Sequence, residues 1–501
     1  MLILEVIKKL IRVIKLNFKE ALELLDKEEL IISNDKDNSS FSYLSYNSKD
    51  VNVDTLFICK GKNFKEEYLD EAIEKGATAY ISEIDYNKNI SKIIVKDIRK
   101  AMAIISNYFY DIKDKKCKII GVTGTSGKTT TVNFIKDIVN NHTKSKNIYL
   151  STVSSYNGLK EMKYKNTTPE IIDIDRCIKN ANTLSISYII MEVSSQAVKL
   201  DRIYGIDFDI GVLTNIDNDH ISEMEHKDFN EYLKCKIDFL RRCKTIIICK
   251  DFPYYEEVIK ELLDKRIITY GEKDADYIIK EIKKEKTYTS FNIVNNNTIG
   301  NYTITMKGKF NVYNATASII VANILGIKPN IIKESLQRTK VLGRVNIFEN
   351  FICPIIVDYA HNKKSLISLV EMVKEYYGNR NIKMVFGSTG DRGINRIDEL
   401  GEVAGIYASY VYLTTDDPGP KEVLDICFDI AKNIKKHETN YEIIIDRKAA
   451  IEKALSEATK EDAILIIGKG DETYQKIKGV SEYYEGDINI VNSYVNNLNR
   501  K

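Results

Sequence analysis

The chain is 501 residues long, too long for one hydrophobic core, and divides naturally into about three domains. Hydrophobic residues make up 44% and charged residues 29%, a globular composition, and the formal net charge is only +2. With lysine spread along the chain, that balance excludes nucleic acid and an anionic membrane as principal partners and suits a small charged metabolite.

The opening stretch MLILEVIKKLIRVIKL is apolar but broken by Glu5, Lys8, Lys9, Arg12 and Lys15. Such a pattern predicts an amphipathic surface or packing helix rather than a signal sequence or a stable membrane insertion. Residues 1–112 read as a small α/β domain. Asn47 to Val51 predicts a turn into a buried strand over Thr55 to Gly61, then a helix over Glu66 to Gly76 and a short strand over Ala77 to Ser82. The charged link Asp111 to Lys116 marks a boundary. Eight cysteines form no C-x-x-C pair, and several lie in apolar runs, as expected of reduced core residues in a cytoplasmic protein.

The region 113–340 opens on the apolar run Cys117 to Ile120, followed by Gly121 to Thr130 and an amphipathic segment from Thr131 to Val139. Strand, glycine loop and helix follow in that order. Backbone N–H groups freed by the glycines, with the positive end of the helix, cradle phosphate oxygens. Lys128 adds a mobile cation and Thr129 a hydroxyl for Mg²⁺. Gly124, Thr125, Ser126, Gly127, Lys128, Thr129 and Thr130 thus form a candidate ATP loop. It departs from the strict Walker pattern, whose first glycine would fall on Val122, and an ordinary glycine turn after a strand is the plainer alternative.

Further buried strands are predicted at Ser187 to Val193, Ile210 to Asn215 and Thr245 to Cys249. Apolar runs alternating with helical stretches predict a mostly parallel sheet covered on both faces, with functional residues at the strands' carboxyl ends. Glu192, Asn215 and the turn Asp217-Asn218-Asp219-His220 occupy such ends. A carboxylate there is ordinarily a helix cap or a solvated loop residue; after a phosphate loop in the same sheet it is a candidate metal ligand. Residues 341–501 repeat strand–helix units, with strands at Ile355 to Val357, Met384 to Phe386, Tyr410 to Leu413 and Ala463 to Ile467.

The ordered set Gly124 to Thr130, Asn166-Thr167-Thr168-Pro169, Met191 to Ser195, Thr214-Asn215 with Asp219-His220, Glu231-Tyr232 with Lys236, Phe310 to Ala315, Asp358 to Asn362 and Gly468-Lys469-Gly470 resembles the Mur ligases. Within that family it is most similar to the tripeptide synthetases of MurE type, in particular the lysine-adding members. The resemblance implies a UDP-sugar domain over 1–112, a central P-loop ATPase domain over 113–340 and a Rossmann-like, amino-acid-binding domain over 341–501. It implies an α/β enzyme using ATP and Mg²⁺ to join a free diamino acid to a UDP-N-acetylmuramoyl dipeptide through an acyl phosphate. A cytoplasmic monomer is expected.

Carried over position by position, the resemblance gives Thr129, Glu192, His220 and Lys236 as metal-site residues. Lys236 matches a lysine that becomes N-carboxylated, which turns a cation that would repel Mg²⁺ into an anionic ligand. Asn314, Arg344 and Asp358 become nucleotide contacts, and Ser48, Thr167, Thr168, Ser194 and Arg202 contacts to the nucleotide-sugar peptide. Gln196 and Asp471 stand where the family usually has histidine. On the amino-acid side are Arg396, Asp416, Asp417, Gly419, Gly468 and Glu472, with Arg396 holding the α-carboxylate.

Diaminopimelate-adding enzymes resemble Asp-Asn-Pro-Arg where this chain has Asp416-Asp417-Pro418-Gly419, and their arginine pairs with the substrate's distal carboxylate. With Gly419 there, Asp416 and Asp417 favour a distal ammonium, hence L-lysine. The same four residues are also a good turn. Alternatives are the same reaction with meso-diaminopimelate or L-ornithine, and a non-catalytic Mur-like nucleotide-binding subunit, which would be expected to lose Lys128, Glu192, His220 or Lys236. Folylpolyglutamate synthase shares the ATPase core but should lack the N-terminal domain, and a Mur-like amidotransferase partner should carry a four-cysteine zinc site.

Overall fold

The computed structural model describes residues 15–61, 63–219, 221–222, 225–390, 395–478 and 480–498. Most of the amphipathic stretch expected at the N-terminus lies outside these residues, and Leu16, its last residue, belongs to a short strand, Leu16–Asn17, paired with Ser40–Phe41. The chain forms two compact units, Met1–Gly121 with Lys146–Gly211 and Asp238–Lys244, and Val122–Ser145 with Val212–Ile237 and Thr245–Lys501.

In the first unit the strands Ile31–Asn34, Tyr43–Ser45, Thr55–Ile58, Ala77–Ser82 and Ser91–Val95 make a five-stranded sheet. Three of its pairings are parallel and the edge pairing of Ile31–Asn34 with Ser91–Val95 is antiparallel. The helix Glu66–Glu74 lays Leu69 and Ala72 on a core that holds Phe57, Cys59 and Tyr80. The helix Ile98–Phe109 is started by Asp97, whose carboxylate accepts from the N–H groups of Arg99 and Lys100, two otherwise orphaned donors. The expected charged link is a short 3₁₀ turn, Ile112–Asp114. Strand Tyr188–Glu192 pairs in parallel with Ile148–Leu150.

In the second unit residues 245–249 pair in parallel with Arg266–Gly271, and that strand with Tyr277–Lys284, but Tyr277–Lys284, Thr289–Asn295 and Thr298–Ile304 continue as an antiparallel meander that the alternation rule did not anticipate. Its last turn is Asn296-Asn297, at φ +45° and +64°. Two successive positive φ values suit a tight hairpin, and asparagine tolerates them.

Residues 346–483 contain a six-stranded sheet in the order Asn346–Phe348, Ile355–Asp358, Asp462–Ile467, Asn381–Phe386, Tyr410–Leu413, Asn440–Ile443. All neighbours are parallel except the first pair. Side chains alternate across a strand, so each strand feeds two cores. Ile356, Met384, Phe386, Val411, Leu413, Leu465 and Ile467 meet the helices Lys363–Tyr377, Arg396–Tyr407 and Val423–Lys435. Ile355, Val357, Val385, Tyr412, Ile464 and Ile466 meet Arg447–Ser456 and Asp487–Leu498. Burial on both faces is why these strands read as continuous apolar runs. All eight cysteines are buried, and none forms a disulfide. Among the described residues no helix is long and apolar enough to cross a membrane.

Candidate active site

The strand Lys118–Thr123 stops at Gly124, and the helix Lys128–Thr143 begins directly after Gly127. Gly127 has φ +85°, and a Cβ there would lie 2.4 Å from Asn314 Oδ1. Only glycine fits that position. Asn215 holds the loop from below: its Oδ1 accepts from Ser126 N at 3.0 Å and its Nδ2 donates to Ser126 O at 3.1 Å. Thr214 Oγ1 adds a hydrogen bond to the same carbonyl at 2.6 Å. The strand-end position of Asn215 therefore serves the loop's shape.

Lys128 curls over the loop, its Nζ donating to Gly124 O at 2.7 Å and Thr125 O at 3.0 Å. Thr129 and Thr130 are buried in the helix's first turn. Arg344 Nη2 donates to Thr129 Oγ1 at 3.2 Å, while its guanidinium lies 4.4 Å over the Tyr359 ring. Asp358, beside it, accepts from Val345 N and Ala360 N, each at 2.7 Å. Burial pushes its carboxyl up, against the pull of Arg344. Asn314 accepts from Thr131 Oγ1 at 3.4 Å. Thr129, Arg344, Asp358, Asn314 and the loop thus come together within one unit.

Lys236 is 2% exposed, and its Nζ stands 4.5 Å over the ring of Tyr232, whose hydroxyl is 2.7 Å from Thr125 Oγ1. Burial, with Lys128 adding to it, holds the amine well below the ordinary lysine range. Among the described residues no carboxylate ion-pairs with it. His220 lies outside the described residues. Its neighbour Asp219 accepts from Arg396 Nε at 3.2 Å and Nη2 at 2.9 Å, and from Asn362 Nδ2 at 2.9 Å.

In the first unit, Glu192 ends its strand with the carboxylate accepting from Ser151 Oγ at 2.5 Å and Thr152 N at 2.8 Å. Thr167 lies 3.3 Å from Thr152 Oγ1. Thr168 Oγ1 donates to Glu192 O at 2.9 Å and accepts from Ser194 N at 3.0 Å. Arg202 Nη1 donates to Thr168 O at 3.4 Å, and its Nε is 3.3 Å from Glu170. Lys60 and Arg99 also reach Glu170, at 2.8 and 3.2 Å. Burial opposes ionisation of Glu170, but Arg202 and Lys60 outweigh it and hold the carboxyl below its usual range. Glu192, Thr167, Thr168, Ser194 and Arg202 are thus gathered. Ser48 lies on its own turn, donating to Glu71 at 2.6 Å.

The remaining group forms at the carboxyl ends of Tyr410–Leu413 and Asp462–Ile467. Gly468 has φ +107°, and a Cβ there would meet Asp416 Oδ2 at 2.3 Å. Asp416 is buried, and that burial pushes its carboxyl up to about 6. Asp417 Oδ1 takes Lys469 Nζ at 2.8 Å and Lys476 N at 2.9 Å. Lys469 also pairs with Glu472 at 2.5 Å. Gly419, at φ +61°, bridges to Ile477 of the hairpin Tyr474–Tyr483. Sequence reasoning read Asp219, with its turn, as a candidate metal ligand, and gave no role to Lys469 or to Arg447, which holds this region through buried hydrogen bonds to Thr415 O at 3.2 Å and Ile467 O at 2.8 Å. For Lys469 the Gly-Lys-Gly motif was the available signal.

Residues 122–322 match the Mur ligase middle domain, and residues 343–470 the Mur ligase glutamate ligase domain. The chain belongs to the Mur ligase family, a family of ATP-dependent ligases. It is 37% identical to the UDP-N-acetylmuramoyl-L-alanyl-D-glutamate--L-lysine ligase of Enterococcus faecalis, covering 91% of this chain and 92% of that one. The UDP-N-acetylmuramyl-tripeptide synthetase of Ligilactobacillus salivarius is 35% identical, over 96% and 100% of the two chains. Among solved structures, a UDP-N-acetylmuramoyl-L-alanyl-D-glutamate--2,6-diaminopimelate ligase has a TM-score of 0.63 at 24% identity, covering 97% of this chain and all of that one. The MurF ligase of Thermotoga maritima in complex with ADP gives a TM-score of 0.63 at 18% identity, covering 91% and 98%. These two likenesses show the fold.

Proposed function

We propose that the protein joins L-lysine to UDP-N-acetylmuramoyl-L-alanyl-D-glutamate, using ATP, as a cytoplasmic monomer in peptidoglycan precursor synthesis. The observation that carries the choice of amino acid is the charge around Lys469: three carboxylates, Asp416, Asp417 and Glu472, surround one ammonium. That excess receives a second ammonium and repels a second carboxylate, and Gly419 offers no cation to pair one.

In this reading residues 1–112 bind the UDP-sugar, 113–340 the ATP and 341–501 the amino acid. A carboxylate oxygen of the dipeptide attacks the γ-phosphorus of ATP, and the bond to ADP breaks. The lysine amine then attacks the acyl phosphate carbon, phosphate leaves, and the amine loses its proton. Lys128, on the loop, offsets the repulsion between the two anionic reactants and stabilises charge on the phosphoryl group as it moves. Arg344, Asp358 and Asn314 orient the nucleotide; Thr167, Thr168, Ser194, Arg202 and Ser48 orient the sugar peptide.

Thr129, Glu192, His220 and Lys236 would hold Mg²⁺, which supplies Lewis-acid stabilisation of the phosphates when bound. The donor types suit that ion: Thr129 carries a hydroxyl, Glu192 a carboxylate and a carboxylated Lys236 would carry a carbamate, all hard oxygen donors. Mg²⁺ is commonly held by one or two carboxylates completed by substrate phosphates and water. Lys236 suits carboxylation, because burial lowers the amine's pKa and so favours the neutral form that can attack CO₂, lose a proton and become a carbamate. The test is ADP release with the UDP-linked dipeptide and a panel of amino acids. Release that depends on both the dipeptide and lysine, with a tripeptide product by mass, is expected; release without dipeptide contradicts the reading.

A further inference from the structure

We infer that Asp417 is a positioning residue for amino-acid selection: as second counter-ion of Lys469, it leaves Glu472 and Asp416 with the negative charge that recognises a distal ammonium. The inference rests on the lysine-ligase reading.

The Lys469 side chain is fully buried, 2.8 Å from Asp417 Oδ1, 2.5 Å from Glu472 Oε2 and 4.8 Å from the Tyr474 ring centroid. Asp417 is fixed in that position by the Lys476 N–H, which donates to the same Oδ1 at 2.9 Å. Glu472 directs its other oxygen elsewhere: Oε1 accepts from Tyr474 at 3.1 Å and Tyr359 at 3.4 Å. Asp416 packs against Gly468, with Lys469 and Arg447 the cations nearest to it in effect. Arg447, however, is already matched by Asp487, through bonds of 2.8 and 2.7 Å. Of these two cations, Lys469 is therefore the one whose charge is divided among the carboxylates of the site.

Two carboxylates share that ammonium. Without the Asp417 charge, Lys469 would be matched by Glu472 alone, and a substrate ammonium would have to compete with a buried lysine for the same oxygens. Close charges in a buried site interact strongly enough for this to decide affinity. Asp417 thus acts on the substrate without touching it, as a buffer for a resident lysine that resembles the ligand.

The test is Asp417→Asn, which removes the charge but keeps an oxygen to accept from Lys476 N and Lys469. The lysine KM should rise at least tenfold, with the KM values for ATP and the UDP-linked dipeptide within about twofold of those of the unmodified enzyme. Adding Lys469→Met to Asp417→Asn removes the competing cation and should recover at least threefold in lysine KM. A merely structural role would move all three KM values together and give no recovery. An unchanged lysine KM in Asp417→Asn, or parallel changes in all three, overturns the inference alone. Absence of lysine-dependent turnover in the unmodified enzyme overturns the functional reading with it.

Discussion

Asp219 takes both Nε and Nη2 of Arg396 on a single carboxylate oxygen, at 3.2 and 2.9 Å, across 177 positions of sequence. Both side chains are buried, so this pair ties the loop after Leu213 to the start of the helix Arg396–Tyr407. If Arg396 holds the amino acid's α-carboxylate, Asp219 sets its fork. Asp219→Asn should raise the lysine KM about tenfold and, by unbalancing a buried pair, lower unfolding stability by about 1–3 kcal/mol. Steady-state kinetics and urea unfolding measure the two effects.

Lys128 donates to the loop carbonyls Gly124 O at 2.7 Å and Thr125 O at 3.0 Å. Lys128→Met should therefore melt within a few degrees of the unmodified protein while kcat falls by about 10³ or more, the usual scale for losing a preorganised charge at a transferred group. Calorimetry alongside ADP release would show it. Retained turnover would take the loop out of the chemistry.

The buried Lys236 amine makes a separable claim. Lys236→Ala should be nearly inactive and partly rescued by acetate, which can occupy the vacated carboxylate position. Activity of the unmodified enzyme should fall in CO₂-depleted buffer and return on adding bicarbonate. Failure of both responses would leave Lys236 a packing residue under Tyr232.

Asp416, raised to about 6 from 3.8 by burial, gives a pH test. Only its ionised form accepts an ammonium with full charge assistance, so the lysine KM should fall as pH rises through about 6 and level off above. The stability contribution has the opposite sign. A carboxyl whose folded pKa is raised binds its proton more tightly when folded, so the contribution is fully present below 3.8 and lost as pH rises to about 6. Asp416→Asn should abolish the KM inflection.

Arg447 and Asp487 are both fully buried and doubly bonded. Arg447→Met leaves Asp487 an uncompensated buried charge and should cost about 3–5 kcal/mol. It also frees the Thr415 and Ile467 carbonyls that precede Asp416 and Gly468, so lysine KM should rise in whatever fraction folds. Replacing both partners, Arg447→Met with Asp487→Leu, should recover stability but not KM.

The phosphate loop was legible because a strand, glycines and a helix are local signals; the structure lengthened the strand to Lys118–Thr123 and the helix to Lys128–Thr143. The parallel strands of the C-terminal sheet were legible because burial on both faces writes them as apolar runs. The meander over 277–304 was missed: its strands are half exposed and read as mixed polarity, although Asn296-Asn297 was a usable turn signal. The ion pairs were illegible for a different reason. Asp417 and Lys469 stand 52 residues apart, Asp219 and Arg396 still further, and which charges meet is decided by strand order, on which local pattern is silent.

The central claim, ligation of lysine through a site built for an ammonium, is tested most directly by kcat/KM for L-lysine, L-ornithine and meso-diaminopimelate, measured side by side on the unmodified enzyme with ATP and the UDP-linked dipeptide. The excess of carboxylates around Lys469 predicts lysine first, with diaminopimelate lower by at least about 10², the scale set by a few kcal/mol for burying an unpaired carboxylate. A preference for diaminopimelate would contradict the account and point to Arg396 or Lys421 as the partner of the second carboxylate.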